Sequence, residues 1–155
     1  MVAYDIIATG SKGNAVVIDN RILIDCGVPF KALKGHYEGL TLVLLTHLHS
    51  DHFNRSTVRK LAQERPTIRW ACCPWLVTPL LECSVSKSKI DVADIGEGIC
   101  YGDITIEPVP LVHNVPNAGW KIFLPDSKII CATDTNSMEG ITAKGYDLYL
   151  IEANY

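Results

Sequence analysis

The stretch THLHSDHF, residues 46–53, gathers three of the five histidines of this 155-residue chain around one aspartate. His47 and His49 are two apart, so on an extended segment they point the same way. Asp51 and His52 fall where the loop bends and take a second direction, so one short loop can serve two neighbouring metal ions. Imidazole suits zinc, iron and similar ions, and a carboxylate among the imidazoles points to a hydrolytic centre rather than a closed, sulfur-rich structural one. A purification tag would be a terminal homopolymer, which this is not. Two distant residues fit the same chemistry. His113 closes the segment IEPVPLVH and Asp134 follows KIICAT, each at the end of an expected strand. Ligands delivered from several strand ends onto one rim are how β scaffolds build rigid sites.

Other chemistries find less support. No GxSxG elbow is present, and Cys26 has no predictable base beside it. The six cysteines form no CxxC pair and lack the spacing of a secreted disulfide framework, so most of them read as small core residues in a reducing compartment. A net charge of −3 gives no overall basic field, so any contact with nucleic acid has to be local. Lys12, Arg55, Arg59 and Arg69 are the nearest cations for a phosphate, although solvation on the surface suits each of them better. The first residues, MVAYDIIATG, lack a basic start and a long apolar segment, which makes the cytoplasm the expected location, away from any membrane.

The elements that must position these residues follow from pattern. VAYDIIAT, AVVIDN and RILID read as a β-meander, and CGVPFKALKGHYEGL as a connection with a short helix. TLVLLT is apolar throughout, as a strand buried on both faces would be, and the histidine cluster follows its C-terminal end. Ser56 is the expected N-cap of a helix through STVRKLAQER, with Val58, Leu61 and Ala62 as its apolar stripe. TIRWACC returns as a strand, and Pro74 opens a helix that Pro79 keeps short. From residue 89 onward DITIEPV, GWKIFLP, KIICAT and YDLYLIEA supply about four strands. Strands at both ends with helices between them predict an α/β layered sandwich.

HLHSDH resembles the HxHxDH motif of the metallo-β-lactamase-fold hydrolases, and further motifs agree in order along essentially the whole chain. LIDCG, residues 23–27, is similar to the family's early aspartate motif, which implies that Asp25 supports the metal loop. The resemblance implies a four-layer αβ/βα sandwich holding two divalent metal ions, zinc first, with manganese or iron as alternatives. His47, His49 and His113 would hold one ion, Asp51 and His52 the other, and Asp134 would bridge. The family also carries a further C-terminal histidine on the second metal, which these residues do not include. The expectation is therefore one metallo-β-lactamase-like domain over residues 1–155, truncated at its C-terminus, with the second metal site partly occupied.

ATGSKGN, residues 8–14, resembles the SGSxGN opening of a branch related to DNA exonucleases and to phosphodiesterases of the tRNA 3′-end processing type. This marks Ser11, Lys12, Gly13 and Asn14 as candidate substrate contacts, with an ordinary hairpin turn as the alternative. LIEAN, residues 150–154, is similar to the HEAT-like segment of the tRNA-processing relatives, which gives Glu152 a role near the leaving group. The implied reaction is metal-assisted hydrolysis of a phosphodiester, in nucleic acid or a cyclic nucleotide, with Asp51 and Asp134 positioning the attacking hydroxide. Two alternatives stand beside it. One is hydrolysis of a thioester or lactone, of the hydroxyacylglutathione hydrolase type; the other is an inactive metal-binding domain that acts through a partner.

Overall fold

The computed structural model describes residues 2–153, which form two compact units, one spanning Ala3–Val92 and the other running from Ala93. Asn154 of LIEAN and Tyr155 lie outside the described residues. In the first unit β1 (Tyr4–Ala8), β2 (Ala15–Ile18) and β3 (Ile22–Ile24) form the expected antiparallel meander. Three parallel strands then extend the sheet, β4 (Leu42–Leu44), β5 (Arg69–Cys72) and β6 (Ile90–Val92), giving the order β1-β2-β3-β4-β5-β6. Parallel neighbours need crossovers, which is where the helices go. Every residue of β3 and β4 is buried, as their unbroken apolar sequences require.

Helix α1 (Arg55–Glu64) begins two residues earlier than the sequence suggests. Its N-cap is Asn54, whose side chain accepts from the Thr57 amide at 3.2 Å, while Ser56 lies inside the first turn. Asparagine caps as well as serine does, and the backbone at Asn54 is still extended, which is what capping geometry demands. Val58 and Leu61 are buried with Thr57, and Ala62 packs against the same core. The short helix expected after Cys26 is a pair of 3₁₀ turns, Phe30–Leu33 and Tyr37–Gly39. Pro74 opens another 3₁₀ turn that leads into α2 (Val77–Glu82). Pro79 is tolerated because it sits in the first turn of α2, where its missing N–H has no helical acceptor.

The second unit is a five-stranded sheet, in the order β11-β10-β9-β8-β7. Its strands are β7 (Ile99–Tyr101), β8 (Ile104–Leu111), β9 (Asn117–Leu124), β10 (Ser127–Thr135) and β11 (Leu148–Ala153). The four strands read from the sequence are β8 to β11; β6 and β7, three residues each, carry too little periodicity to be seen. Pro108 and Pro110 fit within β8 because β7 pairs only with Ile104–Ile106, so the prolines interrupt no ladder on that side. β11 pairs parallel to β10, and the register slips between Ala132 and Thr135. Thr133 and Asp134 thereby oppose Glu152 alone, a β-bulge at the point where an expected ligand sits.

Candidate metal centre

The loop leaving β4 is organised by one buried carboxylate. Asp25, at the end of β3, accepts from the Thr46 amide at 2.9 Å and from the Thr46 hydroxyl at 2.8 Å. It also stands 2.6 Å from Nδ1 of His52, with both side chains essentially inaccessible. Because the Thr46 hydroxyl gives its proton to Asp25, its oxygen is left to accept from Nδ1 of His47, 2.8 Å away. Both rings thus carry their proton on Nδ1, which leaves Nε2 as the nitrogen each could offer to a metal. One aspartate sets the tautomer of one histidine directly and of the other through a hydroxyl.

The backbone holds this loop against the Cys26–Gly27 segment. The amide of Cys26 donates to the His52 carbonyl at 2.9 Å, and that of Asn54 returns to the Cys26 carbonyl at 2.8 Å. A Cβ on Gly27 would collide with the Asp51 carbonyl, and one on Gly13 would come within 2.7 Å of the Gly27 carbonyl. Glycine at these positions lets three backbone segments stack. The Trp75 indole adds a donation to the Thr46 carbonyl at 3.2 Å. His47 and His52 are buried with their ring centroids 4.1 Å apart, closer than the 5.0 Å between His47 and His49. Ligand atoms of His47 and His49 lie within 4.8 Å of one another, as do those of Asp51 and His52.

Asn14 belongs to this arrangement. It is buried, and its amide reaches the Gly10 carbonyl at 2.8 Å, the Asp51 carbonyl at 3.0 Å and Nε2 of His52 at 3.1 Å. Its Oδ1 accepts from the Gly10 amide at 3.0 Å, so the side chain braces the metal loop from inside the protein. Ser11 and Lys12 are exposed at the turn, and Gly13 is buried. Arg69 pairs with Asp91 at 2.6 Å, Arg55 with Glu82 at 3.3 Å, and Arg59 reaches the Glu82 carbonyl at 3.5 Å. Burial, then the charges of Asp25 and Cys83, push the Cys26 thiol well above the ordinary range, which removes it as a nucleophile.

In the second unit His113 follows β8, half-buried, and Asp134 sits buried on the bulge of β10 with its backbone left-handed at φ 53°. Their ligand atoms also lie within 4.8 Å of one another. The Val112 amide donates to the Thr135 hydroxyl at 3.1 Å and the Asn136 amide to the Val112 carbonyl at 2.9 Å, tying the two ligand-bearing segments together. Glu152 is half-buried on β11 opposite the bulge. Imidazoles with carboxylates, and no cysteine among them, are the donor set of a divalent ion in a hydrolytic setting. The sequence reading did not single out Thr46, Gly27 or Asn117; Asn117 follows a proline after a strand end and reads as an ordinary turn residue.

The sequence model of the beta-lactamase superfamily domain matches residues 20–155. The chain belongs to that superfamily. Among solved structures, the metallo-beta-lactamase fold protein YhfI from Bacillus subtilis superposes with a TM-score of 0.71 at 16% identity, over 89% of this chain and 64% of its own. Human tRNase Z, short form, gives 0.61 at 15% identity, over 87% of this chain and 71% of its own. The superfamily fold expected from HLHSDH is therefore present. The exodeoxyribonuclease WalJ of Streptococcus pneumoniae is 30% identical over 98% of this superfamily member and 62% of its own length. The exodeoxyribonuclease YycJ of Bacillus anthracis is 23% identical over the same shares. The chain thus spans about 62% of the length of these curated relatives. No helix among the described residues is long and apolar enough to cross a membrane.

Proposed function

We propose that the chain carries the metal-binding part of a phosphodiesterase that degrades DNA. The observation that carries this reading is the Asp25–Thr46–His47 and Asp25–His52 network, which holds two buried imidazoles by Nδ1 before any ion arrives and so leaves Nε2 of each as the nitrogen that would meet it. The exodeoxyribonuclease relatives, similar over 98% of the chain, support the choice of substrate. His47, His49 and His113 would hold one ion, Asp51 and His52 a second, and Asp134 would be shared between them. The domain covers residues 1–155. A bound divalent ion supplies acidified water at neutral pH and neutralises charge on the phosphoryl oxygens. The chain's own contribution is orientation: Asp25 fixes His52, Asn14 holds the Asp51 backbone, Thr46 fixes His47, and Asp51 and Asp134 turn carboxylates toward the place where water is positioned. Ser11 and Lys12, exposed on the turn, face a phosphate backbone, and Glu152 orients the leaving group. Zinc is the resident metal, and the cytoplasm the location.

The test uses protein expressed from the complete coding frame. Elemental analysis is measured beside turnover of bis-p-nitrophenyl phosphate, of single-stranded DNA and of a thioester. About two metal ions per chain with DNA and phosphodiester turnover is the expected result. Thioester turnover alone would replace this reading with the hydroxyacylglutathione hydrolase type. Metal without any turnover would make the domain an inactive binding module.

A further inference from the structure

The β10 bulge raises a question of backbone accounting. The β9–β10 ladder ends at the Cys131↔Trp120 pair, so the carbonyls of Thr133 and Asp134 lie past the last paired residues of β9. Buried carbonyls require donors. Both find one in the same side chain: the Asn117 amide nitrogen donates to the Thr133 carbonyl at 3.0 Å and to the Asp134 carbonyl at 3.2 Å. Asn117 is itself buried, only 4% exposed. Two carbonyls facing its amide group fix which end is nitrogen, and its Oδ1 has no hydrogen-bond partner among the described residues.

Asp134 is left-handed, a conformation that non-glycine residues adopt at some cost and keep only when the surroundings enforce it. An amide bridging the carbonyls on either side of the Asp134 nitrogen and Cα locks the two peptide planes that define this φ. We propose that Asn117 is the positioning residue for Asp134, holding its peptide planes so that its carboxylate stays beside the ligand atom of His113. The inference rests on the proposed role of Asp134 as a metal ligand. Asn117 touches neither ion nor substrate; it acts through the aspartate. Thr135, on the far side, ties the same bulge to Val112 and so to the histidine's segment. Asn117 sets the direction of the carboxylate, and Thr135 sets its distance from the neighbouring strand end.

The experiment compares Asn117→Ala with Asp134→Ala in protein from the complete coding frame, using competitive titration with a chromophoric chelator and the visible spectrum of the cobalt(II)-loaded protein. Loss of a partner that orients a metal ligand typically lowers affinity about 10–100-fold. Asn117→Ala is expected to fall in that range, to alter the cobalt spectrum, and to lower kcat with little change in KM. If Asp134→Ala leaves metal affinity intact, the ligand reading of Asp134 itself is wrong. If Asp134→Ala weakens binding while a folded Asn117→Ala binds within about twofold of the parent, the positioning role is refuted, since that falls well short of a lost orienting partner. Should Asn117→Ala fail to fold, the side-chain amide resonances of Asn117 in the unaltered protein decide. They are expected to shift on titration with zinc, and resonances that stay in place overturn the proposal.

Discussion

Replacing Asp25 by asparagine removes one charge and changes almost no volume, which makes it a sharp probe of how the histidines are prepared. Asparagine accepts a left-handed backbone readily, so the φ of 61° at this position does not confound the result. Its carbonyl oxygen can keep the Thr46 amide, but its NH₂ then faces Nδ1 of His52, from which the carboxylate stood 2.6 Å. Two donors cannot meet, so the imidazole must move its proton to Nε2, the nitrogen assigned to the metal. One charge-assisted hydrogen bond is exchanged for a neutral one inside a fully buried pair, a loss of about 1–3 kcal/mol of stability. The effect on metal is larger in kind: binding now has to reverse the tautomer, and affinity falls about 10–100-fold. Thermal melting of the metal-free protein reads the first quantity and competitive zinc titration the second. A variant that melts lower yet binds zinc within about twofold of the parent would refute the tautomer argument.

Gly27→Ala is expected to lose the metal loop altogether, because the new Cβ meets the rigid Asp51 carbonyl; unchanged metal content in a folded variant would contradict this. Asp134→Ala should abolish turnover while leaving the fold intact, checked by circular dichroism beside the phosphodiesterase assay. Cys100 is the exposed thiol and the other five are buried, so a thiol reagent at pH 8 should label one site quickly and the rest on the timescale of unfolding. Burial pushes the Cys72 thiol from 9.0 up to about 12. Unfolded thiols ionise above pH 9 while this one stays protonated, so stability declines as pH rises through that window, by at most about 1.4 kcal/mol per pH unit. Urea midpoints between pH 8 and 10 measure it.

The candidate metal ligands were legible because their chemistry is confined to rare side chains at fixed spacing, and the strands that carry them are strongly apolar. What lay hidden depends on non-local contacts. Asn14 reads as part of a phosphate-binding turn until its amide is seen against Asp51 and His52, 37 and 38 residues away in sequence. Gly27 reads as a strand-end glycine, and only the approach of Asp51 shows why no methyl group fits. The Asn54 cap was masked by Ser56 two positions later, since both residue types cap well and the choice between them lies in the extended backbone at Asn54. β6 and β7 are too short to announce themselves, and their pairing partners define them.

The Cys26↔Phe53 bridge bears on the order in which the molecule is made. It joins residues 26 and 53, and the loop it closes contains β4, the parallel partner of β3. Closing such a span carries an entropic cost that local structure does not. The ligand loop is therefore expected to close only once β3 and β4 have paired. An ion meeting the nascent chain would find histidines close in sequence but not yet oriented, whereas one meeting the assembled sheet finds two imidazoles already aimed. Metal capture would come last, unlike in small zinc-dependent domains that acquire their shape only with the ion.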